Sequence, residues 1–201
     1  MNAIIAATSK TWIDHRHPDA VERDEVWNGE IHMAAVANRR HQNLNFHLQM
    51  YLFNHWAVGG LGLVYQEVNL TTPEDEEHWK NNYRIPDLVL LDPPRFHIDK
   101  NEYMAGAPLV CVEIYSPGDE SYEKLDFYAG LGVPEVWIIH RDTKVPEIYK
   151  MADGEYQVVS PDAEGWVIST AVPVAMQSTG TGKLRIQMRN DPTTLAELPD
   201  R

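Results

Sequence analysis

Cysteine is nearly absent: Cys111 is the one thiol in 201 residues. That excludes a disulfide framework, disfavours a structural zinc site, and makes a reducing cytoplasm the expected compartment. Nine histidines do not repair the zinc reading. His41 and His55 fall about four turns apart on one expected helix, while His15 and His17 sit in a loop. No run of 18 apolar residues exists, so no membrane-spanning helix is expected. The opening Met1–Ala7 has no basic region and is too short for a secretory signal. Positive charge is also scarce, at 17 Lys and Arg against 30 Asp and Glu, or −13. Such a surface repels polyanions unless basic residues gather locally. There is no phosphate-binding glycine loop, since Gly59-Gly60-Leu61-Gly62 precedes a strand rather than a helix. Ser116, in Tyr-Ser-Pro, is no nucleophile elbow. Repeats, low-complexity tracts and Gly/Ser linkers are missing too. One domain over 1–201 is expected, with 43% apolar residues to fill its core.

What is present is a pair of acids inside strands that otherwise read as buried. In Arg84-Ile85-Pro86-Asp87-Leu88-Val89-Leu90-Leu91, every neighbour of Asp87 is apolar except Arg84 at the entry. Leu109-Val110-Cys111-Val112-Glu113-Ile114-Tyr115 surrounds Glu113 in the same way. Period-2 geometry puts Asp87 with Ile85, Val89 and Leu91, and Glu113 with Leu109, Cys111 and Tyr115. Burying even a neutral polar group without a partner costs roughly 2–7 kcal/mol. A metal ion or a lysine is the natural partner for both acids.

Around these strands the pattern is mixed. Asn28-Gly29 joins Glu25-Val26-Trp27 to Glu30-Ile31-His32-Met33 as a hairpin within 21–35. Asn38 caps a helix running to about Trp56 and ended by Gly59-Gly60. On that helix His41, Leu44, Leu48, Leu52 and His55 form one apolar face; Phe46, Met50 and Phe53 form a second, so burial on both sides is expected. Strands follow near 61–70, 85–91 and 108–115. A loop at 116–120 leads into a short helix over about 121–131, and another buried strand covers 135–140. Short β-segments at 147–150, 156–160, 166–170 and 184–188 make a strand-rich extension over about 151–190. The order implies an α/β (α+β) sandwich with a mixed sheet.

Lys124 falls in the first turn of the short helix, where the macrodipole disfavours a cation by about 0.3–1 kcal/mol. Tyr128, one turn on, shares its face. Lys124 can reach the end of the strand carrying Glu113, snorkel to solvent, or pair with Glu120. Local basic candidates for a polyanion are Arg39, Arg40, Lys80, Arg84, Lys183, Arg185 and Arg189; each also reads as an ordinary surface charge.

A Pro-Asp on one strand, an acid on the next and a nearby lysine resemble the signature of the PD-(D/E)XK nuclease superfamily. More closely, the chain resembles the Uma-type family of restriction endonucleases. The resemblance runs through Asn28-Gly29-Glu30, His41, Ile85-Pro86-Asp87, Val112-Glu113-Ile114-Tyr115-Ser116-Pro117, Glu123-Lys124-Leu125 with Tyr128, and Gly132-Val133-Pro134-Glu135-Val136-Trp137. It covers about residues 20–150. It implies a restriction-endonuclease-like mixed central β-sheet flanked by helices, and metal-assisted cleavage of DNA phosphodiester bonds. Asp87 and Glu113 would ligate Mg²⁺ or Mn²⁺, with Lys124 as the third catalytic residue and Glu30, His41 and Tyr128 as auxiliary residues. The superfamily's lysine usually lies two residues after the second acid, where this chain has Tyr115, so Lys124 stands as a lysine supplied from the helix. Its usual upstream aspartate is here Glu120. A homodimer suits the cutting of two strands. The competing expectation is a non-catalytic binding or scaffold module with a buried Asp-Glu-Lys ion network.

Overall fold

The computed structural model describes residues 4–5, 23–33 and 37–199; His15 and His17 lie outside these ranges. Its centre is a six-stranded mixed sheet. The strands are β4 (Leu63–Gln66), β7 (Leu88–Leu91), β9 (Val110–Glu113), β10 (Glu135–Ile139), β11 (Pro146–Ala152) and β12 (Glu155–Val158), in the order β12-β11-β10-β9-β7-β4. β9 and β10 are its parallel pair, and helix α2 (Leu125–Leu131) lies between them in sequence. Both strands read as continuous apolar runs because both faces of the sheet are covered. Leu88, Leu90, Val110, Val112, Trp137 and Ile139 point to one face; Val89, Leu91, Cys111, Val136 and Ile138 point to the other.

The first face is covered by helix α1 (Arg39–Leu52) and by a four-stranded antiparallel sheet from the C-terminal extension. That sheet is β13 (Val167–Ile168), β14 (Val174–Ser178), β15 (Leu184–Met188) and β16 (Asp191–Leu198). β14 and β16 were not expected from the sequence. Asn38 caps α1 by accepting from the backbone N–H groups of Arg40 and His41, at 3.0 and 3.1 Å. After Leu52 the helix widens into a π-helical turn, Phe53–Ala57. The extra residue in that turn shifts the phase: Trp56 is buried, and His55 is exposed, against expectation. The second apolar face is a further correction. Phe46, Met50 and Phe53 are exposed, because no described element covers them.

The opposite face meets α2 and the edge of a second six-stranded sheet of short strands, ordered β1-β3-β2-β6-β5-β8. These are β1 (Ile4–Ile5), β2 (Glu25–Trp27), β3 (Glu30–His32), β5 (Leu70–Thr71), β6 (Tyr83–Arg84) and β8 (Met104–Ala105). The β2–β3 hairpin turns at Asn28 and Gly29 with φ of 51° and 87°, values that Asn-Gly supplies at little steric cost. Two 3₁₀ segments, Pro73–Asn81 and Pro93–Ile98, stand where no helix was expected. Among the described residues no helix is long and apolar enough to cross a membrane.

Candidate functional site

A cavity of about 200 Å³ opens where β7 begins and β9 ends, and Glu25, His41, Asp87, Glu113, Ile114 and Lys124 line it. Antiparallel pairing sets Leu88 beside Val112, so Asp87 and Glu113 meet at one end of adjacent strands. Asp87 Oδ2 accepts the Ile114 backbone N–H at 2.7 Å, which fixes one carboxylate oxygen. Its Oδ1 lies 3.2 Å from His41 Nε2. The Asn38 cap holds the first turn of α1 and so presents His41 to Asp87. His41 Nδ1 is buried without a partner.

Glu113 is 3% exposed. Tyr128, fully buried on α2, donates its hydroxyl to Glu113 Oε1 at 2.5 Å. Lys124 occupies the N-cap position of α2, one residue before the helix proper, with its side chain turned inward. Its Nζ donates to Glu113 Oε2 at 3.1 Å and approaches Oε1 at the same distance. The readings in which Lys124 snorkels or pairs with Glu120 are thereby corrected, since Glu120 instead meets His32 Nδ1 at 3.0 Å.

The sequence reading missed one residue of this cluster. Glu25 is 6% exposed, and its Oε1 lies 2.7 Å from Lys124 Nζ. Oε1 also accepts the Ile85 N–H at 2.9 Å, and Oε2 accepts Trp27 Nε1–H at 2.7 Å. Glu30, named from the resemblance, does not reach the cavity. Both acids share a face of the hairpin, but Glu30 pairs with Trp27 beside the turn and stays exposed, whereas Glu25 sits one pleat inward. The sequence signal was that pleat. An acid sharing a face with Trp27, and opposite His32, lies at the docked end of the hairpin.

The site is electrostatically unbalanced. Burial, with added repulsion from Asp87 and Glu25, pushes the Glu113 carboxyl up to about 8, although Lys124 and Tyr128 pull the other way. Burial works against the Lys124 ammonium, but Glu113 and Glu25 outweigh it and raise its pKa. Burial likewise opposes His41 protonation, and Asp87 overcomes it. Three carboxyl groups thus share one lysine and one histidine. Among the described residues no group of three His, Cys, Asp or Glu side chains could hold a metal alone. Two carboxylates with backbone oxygen and water are nonetheless what Mg²⁺ usually takes from a protein, so the donor set fits a hard divalent cation.

Arg84 is not the exposed cation that the sequence suggested. It is 5% exposed and lies between the Trp27 and Phe127 rings, at 4.3 and 4.2 Å from their centroids. Arg23 and Arg141 line the cavity instead, paired with Glu67 and Asp142.

Two acids at the meeting of adjacent strands in a mixed sheet, with a lysine from the helix that follows, place the molecule among proteins of nuclease-like fold. A solved structure has that fold: a crystal structure described as a "putative nuclease belonging to DUF820" from Anabaena variabilis ATCC 29413 superposes with a TM-score of 0.58. The two are 18% identical, and the match covers 78% of this chain and 87% of the other. The family model Uma2, described as "Putative restriction endonuclease", matches residues 15–181, and the chain belongs to that family. No curated protein matches the chain.

Proposed function

We propose that the chain is a divalent-metal-dependent endonuclease that hydrolyses DNA phosphodiester bonds at the Asp87–Glu113–Lys124 cavity. One observation carries the reading: buried Glu25 and Glu113 both meet Lys124 at an open cavity that Asp87 also lines, and burial together with the neighbouring carboxylates pushes the Glu113 carboxyl up to about 8. An added cation relieves that carboxylate excess directly. Family membership supports nuclease chemistry and a nucleic-acid substrate.

Asp87, Glu113 and the Ile114 carbonyl would hold Mg²⁺ or Mn²⁺, water filling the remaining positions. Such an ion supplies Lewis-acid charge at the scissile phosphate and acidifies water. The chain's own groups do the rest. Glu113 would have to give up its carboxyl proton to act as a ligand, so metal binding would release a proton. His41 and the Ile114 N–H keep Asp87 from rotating. Tyr128 steadies Glu113. Lys124 keeps a full positive charge beside the reacting phosphate, where it orients the attacking water and stabilises the negative charge that develops. Glu25 is the second carboxylate on Lys124, and it would keep the ammonium in place with Glu113 serving as a metal ligand.

One observation favours the ion-network reading: Lys124 already lies between Glu25 and Glu113, within 2.7 and 3.1 Å. Calorimetric titration of Mn²⁺ into wild type and the Asp87→Asn/Glu113→Gln double variant separates the two. Saturable binding, lost in a variant whose circular dichroism is unchanged, supports the nuclease reading. A wild type that binds no Mn²⁺ with or without DNA, and a variant that melts early, would leave the network as a structural device.

A further inference from the structure

Among the described residues, no element covers the outer, apolar side of α1. Phe46, Met50 and Phe53 recur at spacings of four and three, one stripe of the helix, and are 58%, 42% and 49% exposed. Exposed apolar side chains follow it past the π-helical turn at Val58 and Leu61. The turn directly continues α1, so the patch runs along both. At the same corner the central sheet ends, with β7 on one side of β4 and no described strand on the other. Folded monomers rarely leave so many large apolar side chains contiguous.

Charge identifies what covers the patch. Between Glu30 and Glu67 the sequence contains no Asp or Glu, although the chain carries 30 of them. The other exposed positions along α1 are Arg39, Arg40 and Gln42. Acids from other elements act at the two ends of this region, Asp142 on Arg40 at 3.4 Å and Asp191 on His55. Two copies of a chain at −13 repel over most of their surfaces. On this face they meet without setting carboxylate against carboxylate, whereas a basic partner would be drawn to the acidic remainder.

We propose that this face is the interface between two copies of the chain, packed α1 against α1 about a two-fold axis. A two-fold contact needs a self-complementary patch, and an uncharged apolar stripe is one. Five half-exposed side chains offer on the order of 500 Å² per copy, so about 1,000 Å² in all, the lower bound for a specific interface. His41 projects from the buried side of the same helix, so pairing leaves each cavity open. The inference stands on the surface alone and does not need the site to be a nuclease.

Sedimentation velocity of the full chain across micromolar concentrations tests it, alongside a Phe46→Glu/Phe53→Glu variant checked by circular dichroism. The wild type should sediment at twice 23.0 kDa and the folded variant as a monomer. Should the variant unfold, salt supplies the second arm: screening the net charge should strengthen a dimer held by apolar contact. A wild type that stays monomeric throughout would overturn the proposal, whether the face is bare or another segment covers it. So would a dimer that survives the double substitution in a folded chain, or one that dissociates as salt rises.

Discussion

Two glutamates are buried in neighbouring strands of the central sheet, Glu113 at the end of β9 and Glu135 at the start of β10, and they are held in contrasting ways. Glu135 is 0% exposed. Its Oε1 accepts the Thr170 N–H, the Thr170 hydroxyl and the Ala171 N–H, at 2.7, 2.7 and 3.1 Å. Its Oε2 accepts the Ser169 hydroxyl and Trp137 Nε1–H, at 2.6 and 3.1 Å. Every donor is neutral and lies on the face covered by the C-terminal sheet, so the carboxylate fastens that sheet to the central one. Glu113 points to the opposite face, receives one hydroxyl and one shared ammonium, and has Asp87 and Glu25 close by. A buried acid surrounded by fixed neutral donors needs no counter-ion. One placed beside other acids and an open cavity is left with charge to neutralise, and that is where chemistry is expected.

The largest effect belongs to Glu113→Gln, which should cut metal-dependent DNA cleavage by about 10³-fold or more, the scale of losing a group that controls transition-state charge. End-labelled duplex with Mg²⁺ or Mn²⁺ measures this, and circular dichroism should show the fold intact. Glu135→Leu should do the reverse. It leaves five donors unpaired and should lower stability by about 3–5 kcal/mol in urea unfolding, as loss of one partner in a buried polar network does. Mn²⁺ affinity of the remaining folded fraction should not change.

The pH dependence of the metal-free protein sharpens the contrast. The Glu113 carboxyl rises from 4.5 to about 8 on folding, so the folded state binds the extra proton between those values. Stability from this group is fully present below about pH 4.5 and declines as pH rises through about 8. Thermal melts in chelator should therefore slope downward across that window, and Glu113→Gln should flatten them. If Glu113→Gln follows the wild-type slope, Glu113 is not its source. The smallest effects come from single donors. Ser169→Ala removes one of Glu135's five and should cost about 1 kcal/mol. Tyr128→Phe removes the hydroxyl from Glu113, so the pH at which Mn²⁺ affinity is half-maximal should move up while stability changes little.

Much of this site could be read directly from residues. The alternation around Asp87 and Glu113 put both acids on one side of their strands, and the structure has them there beside Val89, Leu91 and Cys111. Asn28-Gly29 and the Asn38 cap were legible because each depends on a local backbone requirement. Leu109 was placed on the wrong side, since it precedes the strand and joins the other core cluster. Arg84 was taken for a surface cation, because nothing local announces a slot between two aromatic rings supplied by β2 and α2. The outer stripe of α1 was taken for core because periodicity records which residues are apolar and not whether an element exists to cover them.

The sequence by itself determined the elements with short-range causes: the hairpin, the capped helix, the apolar strands and the two acids within them. Tertiary structure alone decided that Glu25 rather than Glu30 reaches Lys124, that Glu135 is satisfied while Glu113 is not, and that the outer apolar side chains of α1 are exposed among the described residues. The physical reason is range. Turn and cap preferences act over about four residues. Glu25 meets Lys124 across 99 positions of chain, and Glu135 meets Thr170 across 35, through pairings that exist only once the sheets have assembled.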